Sequence, residues 1–329
     1  MKTCLSKSKK NFFLCLVAIL LFPAFGYSQE EDIAKYPSRV IECIHPYPPG
    51  TPGDLAVRLI SKQAEKFLGQ PITVINKPGA AGALGTAALA KSKPDGYTIG
   101  NAQPSPTFML PLLEKVPYHP LKDLAFIMQY AVFNMGVIVK GDSPFKSFKD
   151  LIDYARENPK KLSYGTAGTK SMPNIIMGQF AKKANIEFTH IPFKSTVETQ
   201  PAILGGHVTF GAGDFNYSLV ESGETKLLVL LREERAEEYP QVPILKELGY
   251  DIPMPMPQTL AGPRGIPEGI LKKLEGAYTK AMKEPAFIKG MKDLRVPIRY
   301  RNSQELTEYV TYNFNFFEKL LKELGIKKN

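Results

Sequence analysis

Two short loops carry the residues best suited to chemistry in this 329-residue chain. The first is "HPYPPGTPGD", His45 to Asp54, between an apolar run and a helix-like run. Thr51 suits a helix N-cap, Pro52 the first helical position and Asp54 the first turn. The unpaired N–H groups and positive dipole end of such a helix attract anions. Tyr47, Pro48 and the following proline would wall the site stiffly, and Gly50 would let the chain turn. The alternative is a capped helix with a rigid entry and no ligand. The second loop lies in "SYGTAGTKSMPN" (163–174), where Thr166, Ala167, Gly168 and Thr169 precede Lys170, Ser171 and Asn174. There the Lys170 ammonium would meet a carboxylate, or would simply be solvated. Asp214, in "GAGDF", follows a strand-like run and either faces a cleft or caps a helix.

Other chemistries lack their residues. His45, His119, His190 and His207 have no partners at metal-ligand spacing, and H-E-x-x-H, C-x-x-C and G-x-S-x-G are all absent. Lone histidines beside strands are expected to be hydrogen-bonded structural residues. The glycines of "NKPGAAGALG" fall at 79, 82 and 85. That spacing departs from dinucleotide and P-loop patterns and suits a helix packed closely on a strand. Cys43, inside the apolar run Val40–Ile44, is expected to be an inert buried thiol. No catalytic set, metal site or cofactor site is read from the chain.

The elements that would position the loops alternate between β-rich and amphipathic runs. Strands are expected at Val40–Ile44, Ile72–Ile75, Tyr97–Asn101, Phe133–Val139, Leu162–Tyr164, Phe188–Ile191, Val208–Phe210 and Leu227–Leu231. Helices are expected at Asp54–Leu68, closed by Gly69, and at Asp150–Asn158, with Ser147 and Asp150 forming a capping box. Alternation of this kind predicts an α/β fold with parallel sheets. Breaks at "VKGDSPFKS" (139–147) and in the proline-rich 250–267 suggest two lobes, 29–139 plus 256–329 and 140–255. Both Gly/Thr loops would then lie at the carboxyl edges of their sheets, facing one cleft.

Lys2, Lys7, Lys9 and Lys10 precede the apolar stretch Phe12–Phe22, and small residues follow at Gly26 and Ser28. This three-part layout predicts a secretory signal peptide over 1–28 and a periplasmic destination. Its removal would take the formal charge from +10 to +6, since four lysines and no acid lie within it. Only Cys43 would remain, which excludes an internal disulfide. The mild positive excess favours anionic ligands weakly, and "KGMKDLRVPIRYR" (289–301) reads as solvated surface. Nothing in the composition points to nucleic acid.

Several phrases occur in order from Tyr36 almost to the C-terminus: "YPSRVIECIHPYPPG", "LGQPITVINKPGAAG", "KPDGYTIG", "PLKDLAFI", "SFKDLIDYARENPKKLSYGTAG", "HIPFK", "LGGHV" and "AGPRGIPEGILKKL". Together they resemble the tripartite tricarboxylate transporter receptor (Bug-type) family. The resemblance implies a bilobed type 2 periplasmic-binding fold that closes on a small carboxylate, held by backbone N–H groups and waters, and a monomer that delivers it to a membrane permease. It places Tyr47, Pro48, Gly50, Thr51 and Asp54 in one ligand loop. Thr166, Ala167, Gly168 and Thr169, with Lys170 and Ser171, form the other. Phe193 and Lys194 match a tyrosine–lysine pair of the family, and Asp214 a cleft position. The chain departs from the pattern at Thr51, Lys170, Asn174, Phe193 and Ser195. A receptor reporting to a membrane sensor and an exported α/β enzyme are the rival readings.

Overall fold

The computed structural model describes residues 33–328 apart from 195, 253, 324 and 327. The segment expected to be a signal peptide lies outside the described residues, as does Ser195. Eleven strands follow in chain order: β1 (Ile41–His45), β2 (Ile72–Asn76), β3 (Thr98–Ala102), β4 (Leu124–Val132), β5 (Met135–Lys140), β6 (Ser163–Thr166), β7 (Thr189–Pro192), β8 (Phe210–Asp214), β9 (Thr225–Leu230), β10 (Pro257–Pro263) and β11 (Ile298–Arg301). The helices are α1 (Pro52–Leu68), α2 (Ala83–Ala90), α3 (Leu110–Leu113), α4 (Pro120–Asp123), α5 (Phe148–Glu157), α6 (Met172–Ala184), α7 (Thr196–Leu204), α8 (Tyr217–Glu221), α9 (Glu268–Ala281), α10 (Pro285–Asp293) and α11 (Ser303–Glu323).

The strands form a six-stranded sheet, β11-β4-β10-β3-β1-β2, and a five-stranded sheet, β7-β6-β8-β5-β9. Each is mixed, which corrects the expectation of parallel sheets. In the first, β1 runs parallel to β2 and β3, while β10 is antiparallel to β3 and β4. In the second, β6 is parallel to β7 and β8, while β5 is antiparallel to β8 and β9. The reversal follows from the crossovers: strands that enter or return between sheets run against their new neighbours.

Two strands of the first sheet escape the sequence patterns. β4 is buried along nearly its whole length, so its residues "LAFIMQYAV" show no alternation. β10 lies inside the proline-rich stretch read as a linker, with Pro257 and Pro263 at its two ends, where a missing N–H costs no interior ladder bond. The chain first crosses between Val132 and Met135, so β5 belongs wholly to the second sheet, ahead of the boundary expected at 139. The return passage runs beside it, and Phe133 N–H donates to the Met256 carbonyl at 2.8 Å.

Helices α1, α9 and α10 pack one face of the first sheet around Ile60, Tyr130, Leu274, Tyr278 and Phe287, all fully buried. On the other side a single apolar cluster runs through both sheets, from Phe108, Phe126 and Phe317 to Val137, Phe148 and Phe180. Helix α11 supplies Phe317, Leu320 and Leu321 to it, so this helix ties the two sheets together behind the crossovers. Burial of each large side chain contributes about 1.5–3 kcal/mol. Cys43 is buried and free, and burial pushes its thiol up to about 12, in keeping with an inert residue.

Candidate functional site

The first loop is built as the sequence indicates. Thr51 is the N-cap of α1, its hydroxyl accepting from Asp54 N–H at 3.3 Å, and Gly69 closes the helix in the left-handed region at φ 72°. Asp54 is buried and fastens the loop rather than facing a ligand. Its carboxylate accepts from Gly50 N–H (2.9 Å), Arg58 Nε (3.0 Å) and Asn76 Nδ2 (2.8 Å). Burial alone would raise its pKa, but these bonds and the Arg58 charge hold it below the usual carboxylate range. Gly50 therefore spends its N–H inside the loop, at φ 82°, a conformation that favours glycine. Pro48 is exposed, and its carbonyl accepts from the Thr51 hydroxyl at 3.3 Å.

Tyr47 is the half-buried wall of this loop. Its hydroxyl donates to the Ala81 carbonyl at 3.3 Å, and a side chain on Gly82 would meet its ring at 3.3 Å and Pro106 at 3.2 Å. Ala80 and Ala81 both sit at positive φ, and a π-helical turn spans Ser105–Met109 next to them. Strained backbone and π-turns recur at functional sites. The sequence reading dismissed Gly79, Gly82 and Gly85 as packing. That holds for Gly85, where a side chain would strike the Lys77 carbonyl at 2.8 Å, but 80–82 is also the support of Tyr47.

The second loop repeats the plan. Ser171 caps α6, accepting from Asn174 N–H at 3.4 Å, and Pro173 lies in the first turn. Thr166 is fully buried; its hydroxyl donates to the Gly168 carbonyl at 3.0 Å and contacts His190 Nε2 at 2.8 Å. Gly168 turns at φ 95° and donates its N–H to Thr166. Asn174 Nδ2 holds the Thr169 carbonyl at 2.6 Å. Under the first loop, His45 Nε2 lies 3.4 Å from the Thr51 hydroxyl in the same way. Burial pushes His45 down to about 4 and also lowers His190, so both act as neutral braces. The threonine hydroxyls named in the two loops are thus engaged inside the fold.

Backbone donors remain. Among the described residues, the N–H groups of Thr51, Gly53, Ala167, Thr169 and Lys170 have no acceptor within the chain. They lie at the N-terminal ends of α1 and α6, one from each sheet's carboxyl edge. An ion pair ties the lobes together here. Lys170 Nζ pairs with Glu114 Oε1 at 3.0 Å, linking the second loop to the end of α3. Burial raises the Tyr47 pKa in the first loop, and the charge of Asp214, at the end of β8, adds to it. Burial pushes the Asp214 carboxyl up to about 6. It does not cap α8; Asn216 does, accepting from Ser218 N–H at 2.9 Å. Phe193 packs over Gly165, where a side chain would meet its ring at 2.7 Å, and Lys194 is exposed with its N–H on Glu198.

Two lobes that each present a capped helix start suit a binding protein, and comparison with known proteins agrees. The sequence pattern of the family described as "Tripartite tricarboxylate transporter family receptor" matches residues 56–326. The chain belongs to the tripartite tricarboxylate transporter receptor family. A curated relative from Cupriavidus necator, "UPF0065 protein in gbd 5'region", is 35% identical over 295 residues, covering 89% of this chain and 90% of that protein. Among solved structures, the periplasmic binding protein BugD superposes with a TM-score of 0.75 at 26% identity, covering 89% of this chain and all of BugD. MatC from Rhodopseudomonas palustris, solved with bound malate, gives 0.73 at 25% identity over 87% of this chain and all of MatC. These receptors establish the bilobed α/β fold of this chain.

Proposed function

We propose that this receptor captures a small organic anion, a mono-, di- or tricarboxylate, outside the cytoplasm and delivers it to a membrane permease of the transporter. The single observation that carries the reading is the set of uncommitted backbone N–H groups at the starts of α1 and α6, one helix start from each sheet. Charge-assisted hydrogen bonds contribute about 1.5–3 kcal/mol each, and a helix N-terminus roughly 0.3–2 kcal/mol. Four or five such contacts reach the roughly 8 kcal/mol of micromolar binding after ordering costs. The malate held by MatC is a ligand of this class. In this reading Tyr47 and Phe193 shape the walls. Asp214 accepts from a hydroxyl or ammonium of the ligand, and Lys170 meets its carboxylate when Glu114 releases it.

Native mass spectrometry across carboxylates, neutral sugars and amino acids tests the reading: a carboxylate should be retained and returned unchanged. Retention of a neutral sugar with rejection of every anion would contradict it, and turnover of the ligand would favour an enzyme. Lys170→Ala should weaken carboxylate binding and reduce its salt dependence. Unchanged affinity would leave Lys170 with only its tie to Glu114.

A further inference from the structure

A cavity of about 380 Å3 lies between the lobes, bounded by the crossovers at Val132–Phe133 and Met254–Met256, the segment after β9, and β11. It does not coincide with the anion clamp proposed at the starts of α1 and α6, but Phe133 lines the cavity and lies beside the α1 start. The edge of its ring is 3.3 Å from where a side chain on Gly53 would begin, and Gly53 carries one of the uncommitted N–H groups of α1.

The arginines lining this cavity are Arg232, Arg235, Arg299 and Arg301. Arg235 pairs with Glu247, Arg299 with Glu234 and Arg301 with Glu233. Arg232 alone among them has no carboxylate within ion-pair distance, among the described residues. Its half-buried guanidinium makes one hydrogen bond, Nη1 to Asn134 Oδ1 at 2.6 Å. Asn134 is itself buried, with 6% exposure, and its Nδ2 has no acceptor. Burial lowers the Arg232 pKa, with the charges of Glu238 and Glu234 acting against it. Glu237 and Glu238 also line the cavity, but both are exposed and solvent screens them. A partly desolvated cation without a counter-charge is costly unless something supplies one. A guanidinium with vacant donors matches a carboxylate bidentately.

We propose that Arg232 is a specificity-determining residue which, held by Asn134, receives the far carboxylate of a straight-chain dicarboxylate whose near carboxylate sits in the clamp. This rests on the anion-receptor reading above and narrows it. Of the acids that act on Arg232, Glu234 is occupied by Arg299 and Glu238 is exposed and screened, which leaves the Arg232 fork to the ligand.

Calorimetric titration with succinate, glutarate, adipate and pimelate, each beside its monomethyl ester, tests the assignment. The wild-type protein should bind at least one diacid about tenfold or more tighter than the matching ester. Arg232→Gln should remove that preference while leaving ester affinity within about twofold, and Arg232→Lys should restore part of it. Equal affinity for diacid and ester in the wild type would overturn the proposal, whatever the variants do. Equal weakening of both by Arg232→Gln would also overturn it, making Arg232 a brace of the crossover. In either case ester binding would leave the anion-receptor reading standing. Failure of every diacid and ester to bind would overturn the assignment of Arg232 alone, and the anion-receptor reading would then stand or fall on the wider carboxylate and sugar series.

Discussion

Asp54 holds the first loop through three partners, and its removal should be felt in stability before it is felt in binding. Asp54→Asn is expected to cost about 1–3 kcal/mol in urea unfolding at pH 7, the loss of charge-assisted bonds to Arg58 and Gly50. Because the folded pKa is depressed, this contribution is complete above the ordinary value of about 3.9 and is lost as pH falls through the lower folded value. The variant and parent should therefore converge in strong acid; equal stability at pH 7 would contradict the role. Asp214 has the opposite sign. Its carboxyl is pushed up to about 6, so the folded state holds the proton more tightly and stability falls as pH rises from about 4 to beyond 6. Asp214→Asn should flatten that part of the profile and be the more stable form at pH 8. Parallel profiles for variant and parent would contradict the burial of this charge. At this scale the caps at Thr51, Pro52 and Ser147 were legible because they act within a few residues of themselves. The spent N–H of Gly50 was not, since it depends on Asp54 folding back, and neither was the pairing of Lys170 with Glu114 across the chain.

Among the elements, the segment 295–301 departs most from its sequence reading. It was expected to be solvated surface, yet Arg295 pairs with Glu221, Arg299 with Glu234 in a two-pronged contact at 2.7 Å for each prong, and Arg301 with Glu233. Tyr217 Oη also donates to the Arg295 carbonyl at 2.8 Å. All of these partners lie in the part of the chain between the two crossovers, so the seam joins the lobes. The pairs are largely exposed, and each is worth about 0–1 kcal/mol. Arg299→Ala should therefore change global stability by less than about 1 kcal/mol while loosening the lobes. With a donor and acceptor dye on α9 and α5, energy transfer should fall with added salt in the parent and start lower in the variant. Salt-independent transfer in both would contradict the seam. Local strands such as β1 to β3 were readable from apolar runs bounded by glycine and proline. β4 and β10 were not, because full burial erases alternation and prolines at strand ends mimic a linker.

For the whole molecule, the two-lobe plan was visible in the repeated strand, Gly/Thr loop and capped helix. The site of the first crossover was displaced, since β5 directly follows β4 with only Phe133 and Asn134 between them. What joins the lobes, α11 and its apolar cluster, could not be read because Phe317 and Phe180 enter one cluster only through the three-dimensional packing. The central claim is that one carboxylate is held at once by backbone donors of both lobes. The most direct measurement is amide NMR of the full chain, titrated with the carboxylate giving the largest thermal shift. The amides of Thr51 and Gly53 in one lobe and of Ala167 and Thr169 in the other should shift together, along one binding curve. Shifts confined to a single lobe, or absent from all four amides at saturation, would contradict the clamp.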